Sequence, residues 1–192
     1  MVGEDYGVRW LPTYVETDSL EAKLLETFPP VDRMLTSAEH LFFWLSVLCY
    51  DTMYVEMGRY LRQMTRDLQI AGGRIEVRKF ATPADITALA ESLVFNCTGL
   101  GSRDLFGDQD LHPARGQLAI LEPQPEVDYA TISPGGLYMF SRADGVILGG
   151  THDDGEWDTT PDPEVTARIL AGHQAVFSRM RCRPKGPRPL LS

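Results

Sequence analysis

The sequence predicts an α+β fold, a largely antiparallel mixed sheet with flanking helices, on three observations. Residues 55–70 carry apolar side chains at helical spacing. After Pro113 the chain breaks into short strand-like runs separated by Pro-Gly and Asp-Gly turns. Asp162-Pro163-Glu164 then opens an amphipathic helix able to cover one sheet face.

The elements follow in order. Tyr6-Gly7-Val8-Arg9-Trp10-Leu11-Pro12 reads as an extended lead-in. Thr17-Asp18-Ser19 offers N-cap acceptors for a helix that Phe28-Pro29-Pro30 stops after Thr27. The aromatic and β-branched content of residues 41–54 favours strands. Met57, Tyr60, Leu61, Met64 and Leu68 define the helix of residues 55–70, and Gly72-Gly73 ends it. Residues 74–80 alternate like a strand, Thr82-Pro83-Ala84-Asp85 starts a short helix, and residues 92–96 form a second apolar strand. Strand-like runs at 117–121, 127–132, 136–140 and 145–149 follow. The last helix has its apolar positions at Val165, Ile169, Leu170, Val176 and Phe177, and a basic, Pro-rich tail closes the sequence.

The chain has 192 residues, 18 Lys+Arg against 27 Asp+Glu, a net charge of −9 and 43 % hydrophobic residues. At about 150 residues per domain, that is one domain or one and part of another. Such a hydrophobic content supports a packed core, and the acidic balance excludes a nucleic-acid partner, which needs a basic face to neutralise phosphates. Cys49, Cys97 and Cys182 show neither pairing nor metal spacing and suit a reducing, cytoplasmic setting. The longest apolar run, residues 41–50, is too short to span a bilayer, and Met1-Val2-Gly3-Glu4-Asp5 lacks a signal peptide's basic start. The expectation is a soluble protein with no membrane partner.

General site chemistries find little purchase. No histidine pair has i, i+4 spacing, no CxxC occurs, and no metal is expected; the acidic run at residues 152–158 reads as a solvated loop. No G-x-S-x-G exists, and Cys97, ending an apolar strand, reads as a packed, inert thiol. Neither G-x-G-x-x-G nor the P-loop string is present.

Collinear strings across residues 54–177 carry more. A helix, Ala71-Gly72-Gly73 and a strand come first, then Val94-Phe95-Asn96-Cys97-Thr98-Gly99 and Arg115-Gly116-Gln117. Leu137-Tyr138-Met139-Phe140 and Gly145-Val146-Ile147-Leu148-Gly149-Gly150 complete the series. Their order and spacing resemble the D-amino-acid oxidase family of FAD-dependent oxidoreductases, in its substrate domain.

That resemblance implies FAD as cofactor and the oxidative deamination of a small-molecule amine or D-amino acid by hydride transfer to the flavin. It implies flavin contacts from the Phe80 backbone, from Asn96, Cys97, Thr98, Gly99 and Leu100, and from Arg115, Gly116 and Gln117. It makes Tyr138 a residue that holds the substrate carboxylate through its hydroxyl. Arg183, in a Pro-rich segment like the family's carboxylate-binding one, becomes the candidate guanidinium partner. It divides the chain into a substrate-domain-like region, residues 1–180, and a tail, residues 181–192. The family's N-terminal strand, glycine loop and helix have no counterpart in these residues. The expectation is therefore a truncated oxidase; the alternative is a non-catalytic remnant, or a module that depends on a partner chain for its dinucleotide-binding half. On either reading the strands at 74–80 and 93–96 lack neighbours and leave apolar surface exposed.

Overall fold

The computed structural model describes residues 3–16, 33–35, 40, 42 and 47–181. The strands are β1 (Val8–Glu16), β2 (Arg33–Leu35), β3 (Val47–Val55), β4 (Ala114–Arg115), β5 (Leu118–Leu121), β6 (Ala130–Ser133), β7 (Leu137–Arg142), β8 (Gly145–Gly149) and β9 (Asp153–Asp154). The helices are α1 (Met57–Ile70), α2 (Pro83–Thr87), α3 (Gly101–Phe106) and α4 (Pro163–Phe177). Seven strands form one sheet in the order β2-β3-β1-β6-β7-β8-β5, and β4 pairs with β9 beside it. Every pairing in the large sheet is antiparallel except β1 with β6. The α+β class with a mixed, largely antiparallel sheet is therefore what the chain adopts.

The lead-in is itself a strand. β1 runs in full register against β3, from Val8 opposite Val55 to Glu16 opposite Val47. On its other side β1 meets β6 only at Thr13, Tyr14 and Val15. Pro12 falls just outside that stretch, where β1 has one ladder neighbour and a missing N–H is tolerated.

Pleating sorts the side chains onto two faces. Val47, Cys49, Tyr14, Met139, Val146, Leu148 and Ala119 share the face on which α4 lies, with Ile169, Val176 and Phe177 packing down from the helix. Asp162 caps α4, its carboxylate accepting the Glu164 and Val165 N–H groups. The register puts Leu11, Thr13, Tyr54, Ile132, Phe140, Tyr138 and Ile147 on the opposite face. That face is more open: Ile132, Leu118 and Ile120 are 43 %, 43 % and 58 % exposed.

Residues 56–104 behave differently, since none of them is buried. Helix α1 closes as the sequence predicts. Gly72 takes φ +87°, its N–H donates to the Gln69 carbonyl (3.0 Å), and the Gly73 N–H donates to the Leu68 carbonyl (2.8 Å). Its apolar stripe nevertheless faces outward, with Met57, Leu61, Met64 and Leu68 each about half exposed (48–55 %). The helix is tied down at its start through Glu56 and near its end through Asp67. The Glu56 N–H donates to the Gly7 carbonyl, the Ala143 N–H donates to the Glu56 carboxylate, and the Tyr6 hydroxyl donates to Asp67.

Several expectations are corrected here. Residues 74–80 and 92–96 join no ladder, because an alternating run becomes a strand only where a neighbour takes its N–H and C=O groups. Val77, Phe95, Leu93 and Ile75 are 104 %, 80 %, 71 % and 55 % exposed, the open apolar surface expected of these segments. The run 127–132 shortens to Ala130–Ser133, since the Val127 N–H turns back to the Gln124 carbonyl (2.9 Å). The run 117–121 starts at Leu118, because the Gln117 N–H donates instead to Thr151 Oγ1 (2.7 Å). The helix expected to end at Thr27, the strand content before Val47, and all of the tail beyond Arg181 lie outside the described residues.

Candidate functional site

Three groups of residues carry the expected site. The first is the turn after residue 96, which side chains tie into a compact knot. Asn96 Nδ2 donates to Ser102 Oγ (2.9 Å), Asn96 Oδ1 accepts from the Thr98 hydroxyl (2.8 Å) and N–H (3.2 Å), and the Thr98 and Ser102 hydroxyls lie 2.7 Å apart. The knot presents Gly99 at φ +56° with open space where a Cβ would stand, so backbone at residues 98–100 can meet a flat group closely. Cys97 corrects its own expectation: it is exposed rather than packed, because the strand it ends has no partner.

The second group, residues 115–117, is largely occupied with holding the fold. The Arg115 guanidinium pairs with Asp153 (3.3 Å) and donates to the Asp158 carbonyl (2.8 Å). Gln117 Nε2 donates to the Asp162 carbonyl (2.8 Å) and Thr166 Oγ1 (2.7 Å), and Gln117 Oε1 accepts the Asp162 N–H (2.9 Å). Gln117 thus anchors the start of α4, and a cofactor contact from these residues has to use backbone. At Gly116 a Cβ would stand 3.3 Å from the Thr151 carbonyl, which makes the approach tight.

The third is Tyr138. In register it faces Gly149, and Gly149 in turn faces Leu118, so the start of β5 and the tyrosine meet on the open face. The phenol ring lies across the glycine: a Cβ on Gly149 would fall 2.0 Å from Tyr138 Cζ and 2.5 Å from its hydroxyl oxygen. Tyr138 also stacks on Phe140 (6.0 Å, 5°), and Phe140 meets Tyr54 at 5.4 Å, giving an aromatic row across the sheet. Burial pushes the Tyr54 phenol above its usual pKa.

Phe80, the expected adenine-side contact, is half-buried beneath the Arg78 guanidinium (5.5 Å to the ring centre). Arg183 lies outside the described residues. The carboxylates of the 152–158 loop go to separate partners, Asp153 to Arg115 and Asp154 to His152 (3.0 Å). Among the described residues no three His, Cys, Asp or Glu side chains gather to hold an ion. An open groove of about 700 Å³ beside α1, lined by Asp5, Arg59, Arg62, Gln63, Arg66 and Ile70, involves none of the expected site residues. No helix among the described residues is long and apolar enough to cross a membrane.

Two residues escaped the sequence reading as site components, Gly149 and His173. For Gly149 the one signal was the Asp144-Gly145 turn, which falls one residue past the observed turn at Ala143-Asp144 that sets Gly149 opposite Tyr138. His173 carried no such signal.

The sheet with one helix-packed face and one open face has counterparts among solved structures. L-proline dehydrogenase from P. horikoshii superposes with a TM-score of 0.66 at 14 % identity, over 91 % of this chain and 58 % of that one. Glycine oxidase from Bacillus cereus superposes at 0.62 with 13 % identity, over 93 % and 60 %. The family model described as FAD dependent oxidoreductase (DAO) matches residues 5–190, and the chain belongs to that family. A D-amino-acid oxidase of Streptomyces coelicolor is 35 % identical over 124 residues, 60 % of this chain and 37 % of that protein. One from Dugesia ryukyuensis is 28 % identical over 178 residues, 90 % and 53 %. D-aspartate oxidase of Homo sapiens is 33 % identical over 144 residues, 72 % and 41 %. The chain thus spans about half or less of the length of these curated relatives.

Proposed function

We propose that this chain forms the substrate-facing sheet and one flavin-facing edge of an oxidase acting on D-amino acids. The observation that carries the reading is the seating of Tyr138 over Gly149 on the open sheet face, where its hydroxyl is free to donate to a substrate carboxylate. FAD, when bound, accepts the hydride leaving the substrate α-carbon, so the protein is required to bind, orient and exclude water rather than to supply an acid–base pair. The residues present fit that cofactor along one edge: the backbone of residues 98–100 is open, and the Asn96–Thr98–Ser102 knot holds it in shape. Arg115 and Gln117 serve that edge through backbone, and Arg183 is the candidate guanidinium for the substrate carboxylate.

The test is anaerobic mixing of the FAD-loaded protein with single amino acids. D-amino acids bleach the flavin's visible absorption and their L-enantiomers do not; Tyr138→Phe weakens substrate binding by roughly tenfold, the loss of about one charge-assisted hydrogen bond. A flavin left oxidised by every D-amino acid overturns the reading.

The unpaired layer favours a second reading, a partner-dependent module or a non-catalytic remnant. In the first of these, strands from a dinucleotide-binding segment outside the 192 residues pair with residues 74–80 and 93–96 before FAD binds. FAD affinity of the chain alone, compared with the chain mixed with a Gly-x-Gly-x-x-Gly strand–helix polypeptide, separates the cases. Binding only in the mixture identifies the module, and binding in neither identifies the remnant.

A further inference from the structure

We propose that His173 is a positioning residue for Tyr138, acting through the peptide of Gly149. The proposal rests on the reading of Tyr138 as a substrate-binding group. His173 and Ile169 are the two buried residues of α4, and His173 is only 3 % exposed. Its Nε2 lies 3.1 Å from the Gly149 carbonyl oxygen, and its ring stacks on Phe177 (6.0 Å, 13°). A carbonyl only accepts, so Nε2 carries the proton in this contact. An apolar side chain would fill the same space without the cost of burying an imidazole, which leaves the hydrogen bond as the feature only a donor provides.

What the hydrogen bond holds is specific. Gly149 ends β8, and Gly150 follows it with φ +158°. Gly172, adjacent to His173, and Gly150 both close on Leu137: a Cβ on either would stand 2.9 Å from a Leu137 methyl carbon. One turn of α4 therefore grips residue 137 directly and residue 149 by its carbonyl. Tyr138 lies between these two grips in the pairing, with its ring across the Gly149 Cα. Moving that peptide moves the floor under the phenol. A displacement of about 1 Å at a substrate-orienting group is enough to matter for binding geometry.

The experiment places 3-fluorotyrosine at position 138, or at 60 in helix α1 as a control, and follows the fluorine resonance in the full chain. His173→Met removes the donor, and His173→Gln keeps an N–H. The Met variant is expected to shift or split the resonance at 138, the Gln variant to restore a single line near the wild-type position, and the resonance at 60 to stay fixed. An unchanged line at 138 in His173→Met, or a Gln variant shifted as far as the Met variant, overturns the proposal. If the Met variant does not fold, nitrogen NMR of the wild-type imidazole decides. A proton on Nε2 is expected, and a proton on Nδ1 alone overturns it. Titration of the FAD-loaded wild type with D-alanine separates the two ideas. Fluorine shifts as expected without D-alanine binding would retain the positioning and remove the substrate role of Tyr138.

Discussion

The large sheet and the stretch from residue 56 to residue 104 contain the same kinds of side chain in the same alternations, yet they end in opposite environments. Val47, Ile147 and Ile169 are 0–1 % exposed, whereas Ile75, Val77 and Phe95 are 55 %, 104 % and 80 % exposed. In the sheet, each strand finds a neighbour within the described residues, and α4 covers one face. In the other stretch, helix α1 is capped at its C-terminus and α2 has a capping box at Thr82 and Asp85, but among the described residues the apolar sides stay about half exposed or more. Local signals therefore suffice for helices, whose hydrogen bonds are internal. They do not suffice for strands, whose partners must be supplied from elsewhere.

The largest expected effect comes from cutting the core on each side of this contrast. Ile169→Ala, on the buried side of α4, should cost about 2–5 kcal/mol in denaturant unfolding, while Phe95→Ala or Val77→Ala should stay within about 0.5 kcal/mol. A large loss at Phe95 would mean that the open layer is packed in solution. Gly149→Ala comes next. Its methyl collides with the Tyr138 ring, at a cost of about 1–3 kcal/mol, and the same substitution at Gly99 meets no neighbouring atom, leaving only the strain of its positive φ. Equal packing disorder at both sites, read from the tyrosine resonances, would break the distinction.

The smallest effect is in pH. Burial holds the His173 imidazole below its usual pKa of 6.5, against the opposing hydrogen bond to Gly149. The unfolded chain therefore binds this proton more readily, and the folded state loses stability as pH falls below about 6.5, by at most about 1.4 kcal/mol per unit, levelling off below the folded pKa. Comparing melting curves of wild type and His173→Gln between neutral and mildly acid pH isolates this share. No difference between them would place the acid sensitivity elsewhere.

The strand runs of β7 and β8 could be read in advance, but their register could not: the sequence suggests a turn at Asp144-Gly145, whereas the chain turns at Ala143-Asp144 and sets Arg142 opposite Gly145. Helix α4 was legible from Asp162-Pro163-Glu164. The lead-in at residues 8–16 was legible only as extended, because its pairing with β3 depends on residues some forty positions away. Within the site, Gly99 and the Asn96–Thr98 turn could be anticipated from residue type. The commitment of Arg115 to Asp153 and of Gln117 to the cap of α4 could not, since each depends on tertiary contacts 34 to 49 positions apart. Cys97 was misplaced for the same reason that residues 74–80 were: a buried strand end presumes neighbouring strands.

Amide hydrogen exchange, followed with and without a Gly-x-Gly-x-x-Gly strand–helix polypeptide and FAD, tests most directly whether one region is finished and the other awaits partners. The account predicts slow exchange in β3, β7 and β8 throughout. It predicts near-free-peptide exchange at residues 74–80 and 93–96 in the chain alone, slowing only when the added strands and FAD are both present. Strong protection of those two segments in the chain alone would contradict it.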